Sequence, residues 1–243
     1  MKGIILAGGT GSRLRPLTKV TNKHLLPVGK DPMIIHTVKK FSELGIQEVI
    51  VITGTDHMGD IVSLLGSGKE YGCNFTYRVQ DEPTGIAGAL SLCENFINGD
   101  SILVILGDNI FEEDLSSMID KFNQHVKKRN GEPSALFMLK KVELAERFGV
   151  AFIEDEKIIN IVEKPKNPKS DLCVTGVYMY DNNVFDFARL CKVSKRGELE
   201  ITDVNNHYIN AGGATYCITS GWWTDAGTHD SYQLANRLMC EKK

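Results

Sequence analysis

The sequence lacks a long apolar run. Nothing approaches the roughly 20 residues of a helical membrane span, and the opening stretch Ile4-Ile5-Leu6-Ala7 is broken at once by Gly8 and Gly9. A secretory leader needs a longer apolar segment and a cleavage site, so neither a membrane protein nor a secreted one is expected. Proline is scarce at 7 residues, and there is no Pro/Ser-rich linker, repeat or low-complexity segment. That argues against a string of tethered modules. The six cysteines (Cys73, Cys93, Cys173, Cys191, Cys217, Cys240) form no C-x-x-C pair and have no histidine at zinc-ligand spacing. They read as free thiols in a reducing compartment, and a cytoplasmic location is expected. An excess of positive charge is missing too, with 28 Lys+Arg against 31 Asp+Glu and a net charge of -3. Nucleic acid and membrane surfaces are therefore poor partners, although a local patch can still bind phosphate.

What is present is a chain of 243 residues with 42% hydrophobic and 24% charged residues, enough for one large or two small domains. Apolar runs at 3–7, 48–53, 74–79 and 101–106 read as strands, and the all-apolar Ile102-Leu103-Val104-Ile105-Leu106 as one covered on both faces. Amphipathic stretches at 32–44, 56–65 and 85–96 read as helices between them, with Pro32 suited to a first turn and Gly45 to a stop. Alternation of this kind implies right-handed βαβ units and a mainly parallel sheet flanked by helices. After about residue 131 the rhythm changes. Strands at 134–140, 150–154, 157–162, 173–180 and 214–219 have fewer helices between them, and Asp155-Glu156-Lys157 reads as a hairpin turn. Helices return at 183–190, 201–210 and 229–240. The expectation is one mixed α/β domain, with residues 1 to about 130 forming a first half and 131–243 a second half that adds a small antiparallel lobe to the central sheet.

The most informative stretch is Leu6-Ala7-Gly8-Gly9-Thr10-Gly11-Ser12-Arg13-Leu14-Arg15-Pro16. A strand running into a glycine cluster leaves backbone N–H groups free of side chains, as a loop that holds phosphate oxygens requires. A plain tight turn is the alternative. Neither standard phosphate loop is present: the dinucleotide fingerprint G-x-G-x-x-G fails because Gly9-x-Gly11-x-x runs into Leu14, and Gly68-Lys69 fails the Walker A pattern at both ends. Arg13 and Lys23 could meet the charges of a triphosphate, the one with paired donors and the other as a compact charge. Asp108, in Gly107-Asp108-Asn109, follows the most hydrophobic strand, where ligands of open α/β sheets gather, although an Asx-turn would look the same. Asp225 reads equally as a turn or capping residue.

Taken together, L-A-G-G-x-G-S/T-R-L-x-P followed by K-x-x-L-P resembles the signature of sugar-phosphate nucleotidyltransferases. The resemblance continues through Gly107-Asp108-Asn109, Glu163-Lys164-Pro165, Val174-Thr175-Gly176 and Arg196-Gly197-Glu198-Leu199-Glu200-Ile201-Thr202-Asp203, and ends in Trp223-Thr224-Asp225-Ala226-Gly227-Thr228-His229-Asp230. These blocks cover nearly the whole chain, and the later ones are most similar to glucose-1-phosphate thymidylyltransferases. The resemblance implies a Rossmann-like nucleotidyltransferase fold, with a nucleotide-binding half over residues 1 to about 130 and a sugar-phosphate-binding half over about 131–243 that carries the small antiparallel sugar-binding lobe. In that fold Asp108 and Asp225 would hold Mg²⁺. It implies that Lys164 binds the sugar phosphate and Glu163 the sugar hydroxyls, with Arg196 as a second phosphate contact and Gly149 and Thr175 lining the sugar. Gln80 matches the position that reads a pyrimidine edge, for which a carboxamide offers donor and acceptor together. Gly85 and Gly8 would add backbone contacts to the base, while Gly9, Gly11, Ser12, Arg13 and Lys23 would serve the nucleotide's phosphates.

The implied reaction is attack of a sugar 1-phosphate oxygen on the α-phosphorus of a nucleoside triphosphate. With dTTP and glucose 1-phosphate it gives dTDP-glucose and pyrophosphate, feeding polysaccharide synthesis. UTP, CTP or another sugar phosphate, a non-catalytic nucleotide-sugar sensor, and a nicotinamide dehydrogenase disfavoured by the failed fingerprint are the alternatives. Many thymidylyltransferases of this type continue in further C-terminal helices, whereas this chain stops at Lys243. A short form is expected, to which the family's regulatory site and usual tetramer are not carried over. The helix at 201–210 and the residues around Trp222 and Trp223 would serve the core, or the interface of a possible homo-oligomer.

Overall fold

Burial turns the expected alternation into structure. The computed structural model describes residues 1–241. In chain order, its first elements are β1 (Lys2–Ala7), β2 (Pro27–Val28), β3 (Asp31–Pro32), α1 (Met33–Glu43), β4 (Glu48–Gly54), α2 (Met58–Leu65), β5 (Asn74–Gln80), α3 (Ile86–Ser91), α4 (Glu94–Ile97), β6 (Ile102–Leu106) and β7 (Asn109–Phe111). There follow α5 (Ser116–Arg129), β8 (Ala135–Lys141), β9 (Gly149–Glu154), β10 (Lys157–Glu163), β11 (Leu172–Tyr180), α6 (Val184–Leu190), α7 (Ile201–Asn210), β12 (Ala214–Ile218), β13 (Trp223–Asp225) and α8 (His229–Cys240). The described residues group into two compact units: 1–83, 104–114 and the segment from 221 onward form the first, and 84–103 and 115–220 the second.

In the first unit β1, β4 and β5 pair in parallel, Ile4 opposite Ile50 and Ile50 opposite Thr76, and β6 borders β1 on its other side. Ile4, Ile5, Val51, Ile52, Val104 and Ile105 are fully buried, the pattern of strands covered on both faces. Helix α1 buries Met33, Ile34, Ile35, Val38 and Phe41 at helical spacing. It ends as the sequence suggests: Gly45 takes φ +66°, Gly45 N–H donates to Ser42 O (3.1 Å) and Ile46 N–H to Phe41 O (3.0 Å), a Schellman closure. Four short strands escape sequence reading: β2 and β3, which pair with each other, and β7 and β13. β7 and β13 pair antiparallel, Asp225 opposite Asn109. Trp223 is buried, and Trp222 packs on a cluster of Val28, Met33, Ile110, Ala226 and Ala235, so both tryptophans serve the core.

In the second unit β9 and β10 form the expected hairpin, with Asp155 (φ +46°) and Glu156 (φ +60°) both left-handed as a two-residue primed turn demands. β11 pairs antiparallel with β8 and β9, and β12 runs parallel to β8. Helix α7 packs against the sheet through Tyr208, stacked on Tyr180 at 5.5 Å, and Asn205 accepts the Tyr180 hydroxyl at 2.6 Å.

Three helical expectations need correction. The segment 85–96 is two helices, α3 and α4, because Ser91 donates back to Ala87 O and the chain tightens at Leu92-Cys93. The segment 56–65 begins only at Met58, since His57 is left-handed (φ +62°). Helix α5 was not expected at all. It buries Met118 and Phe122, but its sequence SSMIDKFNQHVKKR is too polar to show a continuous apolar stripe.

Candidate active site

The loop after β1 is built from the strand outward. Gly11 takes φ +63° and leads into one turn of 3-10 helix, Ser12–Leu14. Buried Leu14 anchors the turn, and the Thr18 hydroxyl donates to Gly11 O at 2.7 Å. Ser12 and Arg13 are left exposed. Lys23 is on a second 3-10 turn, Lys23–Leu25, capped by buried Asn22, whose Oδ1 accepts from His24 N–H (2.9 Å). The bare backbone of Gly9 admits the Lys23 side chain: a Cβ on Gly9 would meet its Nζ at 3.2 Å.

Lys23 Nζ donates to Asp108 Oδ2 at 2.5 Å, and Asn109 Nδ2 to Asp108 Oδ1 at 3.0 Å. Burial alone would raise the Asp108 pKa. The Lys23 ammonium and these hydrogen bonds overcome it and hold the carboxyl well below the usual carboxylate range. Asp108 is therefore a fixed anion at neutral pH. Asn109 also accepts Trp223 Nε1–H at 2.7 Å, tying Asp108 to the β7–β13 pair that carries Asp225. Beside them His24 is fully enclosed, and burial followed by the Lys23 charge pushes its pKa down to about 3, so the ring is neutral. Its Nδ1 lies 2.7 Å from Asn22 Oδ1, an acceptor, which assigns the proton to Nδ1.

Four charged groups converge here. A Cβ built on Gly227 would stand 3.1 Å from Arg13 Nη2, 3.5 Å from Asp108 Oδ2 and 3.7 Å from Asp225 Oδ2. Glycine keeps this space open between a guanidinium and two carboxylates, with the Lys23 ammonium on one of them. The two carboxylates offer the hard oxygen donors that a divalent cation takes, with its other ligands left to phosphate and water; among the described residues no cluster of three or more Asp, Glu, His or Cys could hold a metal by itself.

Next to the loop is a cavity of about 330 Å³ lined by Gly8, Gly9, Arg15, Lys19, Asn22, Gly54, Asp56, His57, Gln80 and Asp81, among others. Gly8 lies against Gln80: a Cβ there would come within 3.0 Å of Gln80 Oε1 and 3.4 Å of Gly54 N. Gly8 and Gln80 were each expected to contact a base, and their closeness to one another was not foreseen. Nor was the part of the wall formed by Gly54, Asp56 and His57, because nothing in the turn after β4 distinguishes it from an ordinary loop.

In the second unit, Glu163 ends β10 and Lys164 follows with φ +42°, uncommon for a residue with a side chain. The Lys164 N–H donates to Phe148 O at 3.0 Å, and its exposed ammonium lies 3.7 Å from Glu163 Oε1. Glu163 Oε2 accepts the Thr202 hydroxyl at 2.7 Å. Gly149 makes room for that bond, since a Cβ there would lie 3.3 Å from Thr202 Oγ1 and 3.4 Å from Glu163 Oε2. Arg196 is already engaged: Nε donates to Glu200 Oε1 (3.0 Å), and Nη2 to Glu200 Oε2 (2.5 Å), Glu163 Oε1 (3.3 Å) and Glu198 Oε2 (3.3 Å). Thr175 is buried, its hydroxyl donating to Met138 O at 2.9 Å. Gly85 (φ +89°) lies against Leu199, where a Cβ would meet the carbonyl oxygen at 2.6 Å. Sequence reading gave no role to Asn22, His24, Asn109, Glu200 or Thr202. Only Asn109, Glu200 and Thr202, inside quoted blocks, left a signal.

Comparison with known proteins identifies the family. A family model described as nucleotidyl transferase matches residues 2–242. A glucose-1-phosphate thymidylyltransferase of Neisseria meningitidis is 42% identical over 97% of this chain and 81% of its own length. The low-salt glycan biosynthesis nucleotidyltransferase Agl11 of Haloferax volcanii is 37% identical over 100% and 67%. A crystal structure from Bacillus anthracis, provisionally assigned as a glucose-1-phosphate thymidylyltransferase and complexed with sucrose, is 56% identical with a TM-score of 0.93, covering 100% of this chain and 96% of that one. A UDP-glucose pyrophosphorylase with UDP-glucose superposes at a TM-score of 0.84 over 100% and 99%; at 24% identity that likeness is one of fold.

Proposed function

Because the chain belongs to the nucleotidyl transferase family, we propose that it transfers a thymidylyl group from dTTP to glucose 1-phosphate, giving dTDP-glucose and pyrophosphate. The observation that carries the reading is the convergence of Arg13, Lys23, Asp108 and Asp225 at the glycine loop. An oxygen of the sugar phosphate forms a bond to the α-phosphorus, the α–β bridging bond breaks, and its electron pair leaves with pyrophosphate. That nucleophile is anionic near neutral pH, so no side-chain base is needed, and the work is alignment and charge stabilisation. Arg13 and Lys23 meet the triphosphate, and the backbone of Gly8, Gly9, Gly11 and Ser12 follows it. Gln80 reads the base. Lys164 holds the sugar phosphate and Glu163 accepts from sugar hydroxyls. Asp108 and Asp225 would hold Mg²⁺, which when bound neutralises charge at the α-phosphate.

Arg196 reaches a phosphate in this scheme only by leaving carboxylates that now hold it. The neutral, buried His24 adds no charge beside Asp108 and keeps the Lys23 turn closed. Thymidylyl and glucosyl selectivity rest on the curated relatives. The test is pyrophosphate release from dTTP, UTP, CTP and ATP in parallel, each with glucose 1-phosphate and Mg²⁺, and with EDTA as control. Metal-dependent release fastest with dTTP is expected. Faster release with UTP or CTP moves the error to the cavity around Gln80, and no release with any triphosphate overturns the proposal.

A further inference from the structure

β10 is an outer strand: it pairs with β9 on one side, and its other edge presents backbone groups that need partners. At Ile161 both edge groups are satisfied by one side chain. Ile161 N–H donates to Asn206 Oδ1 at 2.9 Å, and Asn206 Nδ2 donates to Ile161 O at 2.8 Å. The carboxamide thus supplies the donor and acceptor that a neighbouring strand would supply, in the same geometry. Asn206 is on α7 one turn beyond Thr202, so the two share a helix face. Thr202 grips Glu163, and Asn206 grips the backbone two residues earlier. The helix is itself held to the sheet by the Tyr208–Tyr180 stack and the Asn205–Tyr180 hydrogen bond.

From this geometry we propose that Asn206 is a positioning residue for the Glu163–Lys164 pair, fixing the end of β10 so that both side chains are presented to a sugar phosphate. The proposal rests on the reading that this pair binds that substrate. Lys164 makes the need concrete: its left-handed backbone persists only where the chain on either side is held. Phe148 O holds its own N–H, and Asn206 holds the strand that leads into it.

Steady-state kinetics of Asn206→Leu, with KM determined separately for each substrate, test it. The KM for glucose 1-phosphate should rise about tenfold while kcat and the KM for dTTP stay within about twofold, as expected when alignment at one substrate is loosened. Amide exchange in the peptide spanning residues 157–164 should quicken in the same variant, a readout that needs no catalysis. Asn206→Asp keeps the acceptor for Ile161 N–H and loses the donor, so it should show a smaller rise in the same KM, and it serves if leucine impairs folding. Equal changes in both KM values, or faster exchange with neither KM changed, would mean that Asn206 only seals an edge, and the proposal falls. Wild-type kinetics separate the two failures. No turnover by the wild type overturns the reading and the proposal together, whereas normal wild-type turnover with no selective effect of the variants overturns the proposal alone.

Discussion

Replacing Asp108 with Asn should cut kcat for pyrophosphate release by about 10³-fold or more, with the KM for dTTP within about threefold. The substitution keeps the shape and removes the charge. It turns one of the two carboxylate donors around Gly227 into a neutral amide and leaves the Lys23 ammonium without its anionic partner. Lys23 and Asp108 are only 12% and 13% exposed as side chains, so the variant loses a mostly buried ion pair and should also melt earlier. Kinetics must therefore be run well below its melting temperature. Triphosphate binding in EDTA should be unchanged or tighter, because a carboxylate that repels phosphate is gone while Arg13 and Lys23 remain. Near-normal pyrophosphate release would remove Asp108 from the chemistry.

Lys164→Met should raise the KM for glucose 1-phosphate by about 30-fold and leave the KM for dTTP alone. A lysine acts on phosphate as a point charge, and methionine keeps most of the apolar stem without it. Stability should hardly change, since the ammonium is half exposed and its pairing with Glu163 at 3.7 Å is a surface contact. Lys164→Gly sharpens the point. It should be as defective toward sugar phosphate as the methionine variant, although glycine accepts a φ of +42° without strain. A matching rise in the KM for dTTP would place Lys164 in the triphosphate site instead.

These effects trace back to how much the residues reveal in linear order. The parallel arrangement of β1, β4 and β5 was legible because runs such as Val49-Ile50-Val51-Ile52 are apolar throughout and amphipathic helices separate them. The β9–β10 hairpin was legible from its polar turn. Helix α5 was hidden by its polarity. β7 and β13 were hidden because three residues carry no period, yet their pairing sets Asp225 opposite Asn109. The glycine loop and Asp108 were visible as candidates because they follow strands, where ligands gather. Asn22 and Asn206 were not, and Asn109 showed only as part of the Gly107-Asp108-Asn109 block, with no role of its own. Each acts through a hydrogen bond to a residue or backbone group whose closeness the fold alone creates, as Asn206 does across 45 positions to Ile161. Arg196 shows the converse. The sequence offers a free cation, and the structure surrounds it with Glu163, Glu198 and Glu200.

The measurement that bears most directly on attack by the sugar phosphate is the fate of its oxygens. Glucose 1-phosphate labelled with ¹⁸O at the non-bridging phosphate oxygens, incubated with the protein, dTTP and Mg²⁺, should yield dTDP-glucose that retains every heavy oxygen, together with unlabelled pyrophosphate. Heavy oxygen in the pyrophosphate, or its loss from the nucleotide sugar, would mean that another bond is broken and would contradict the account.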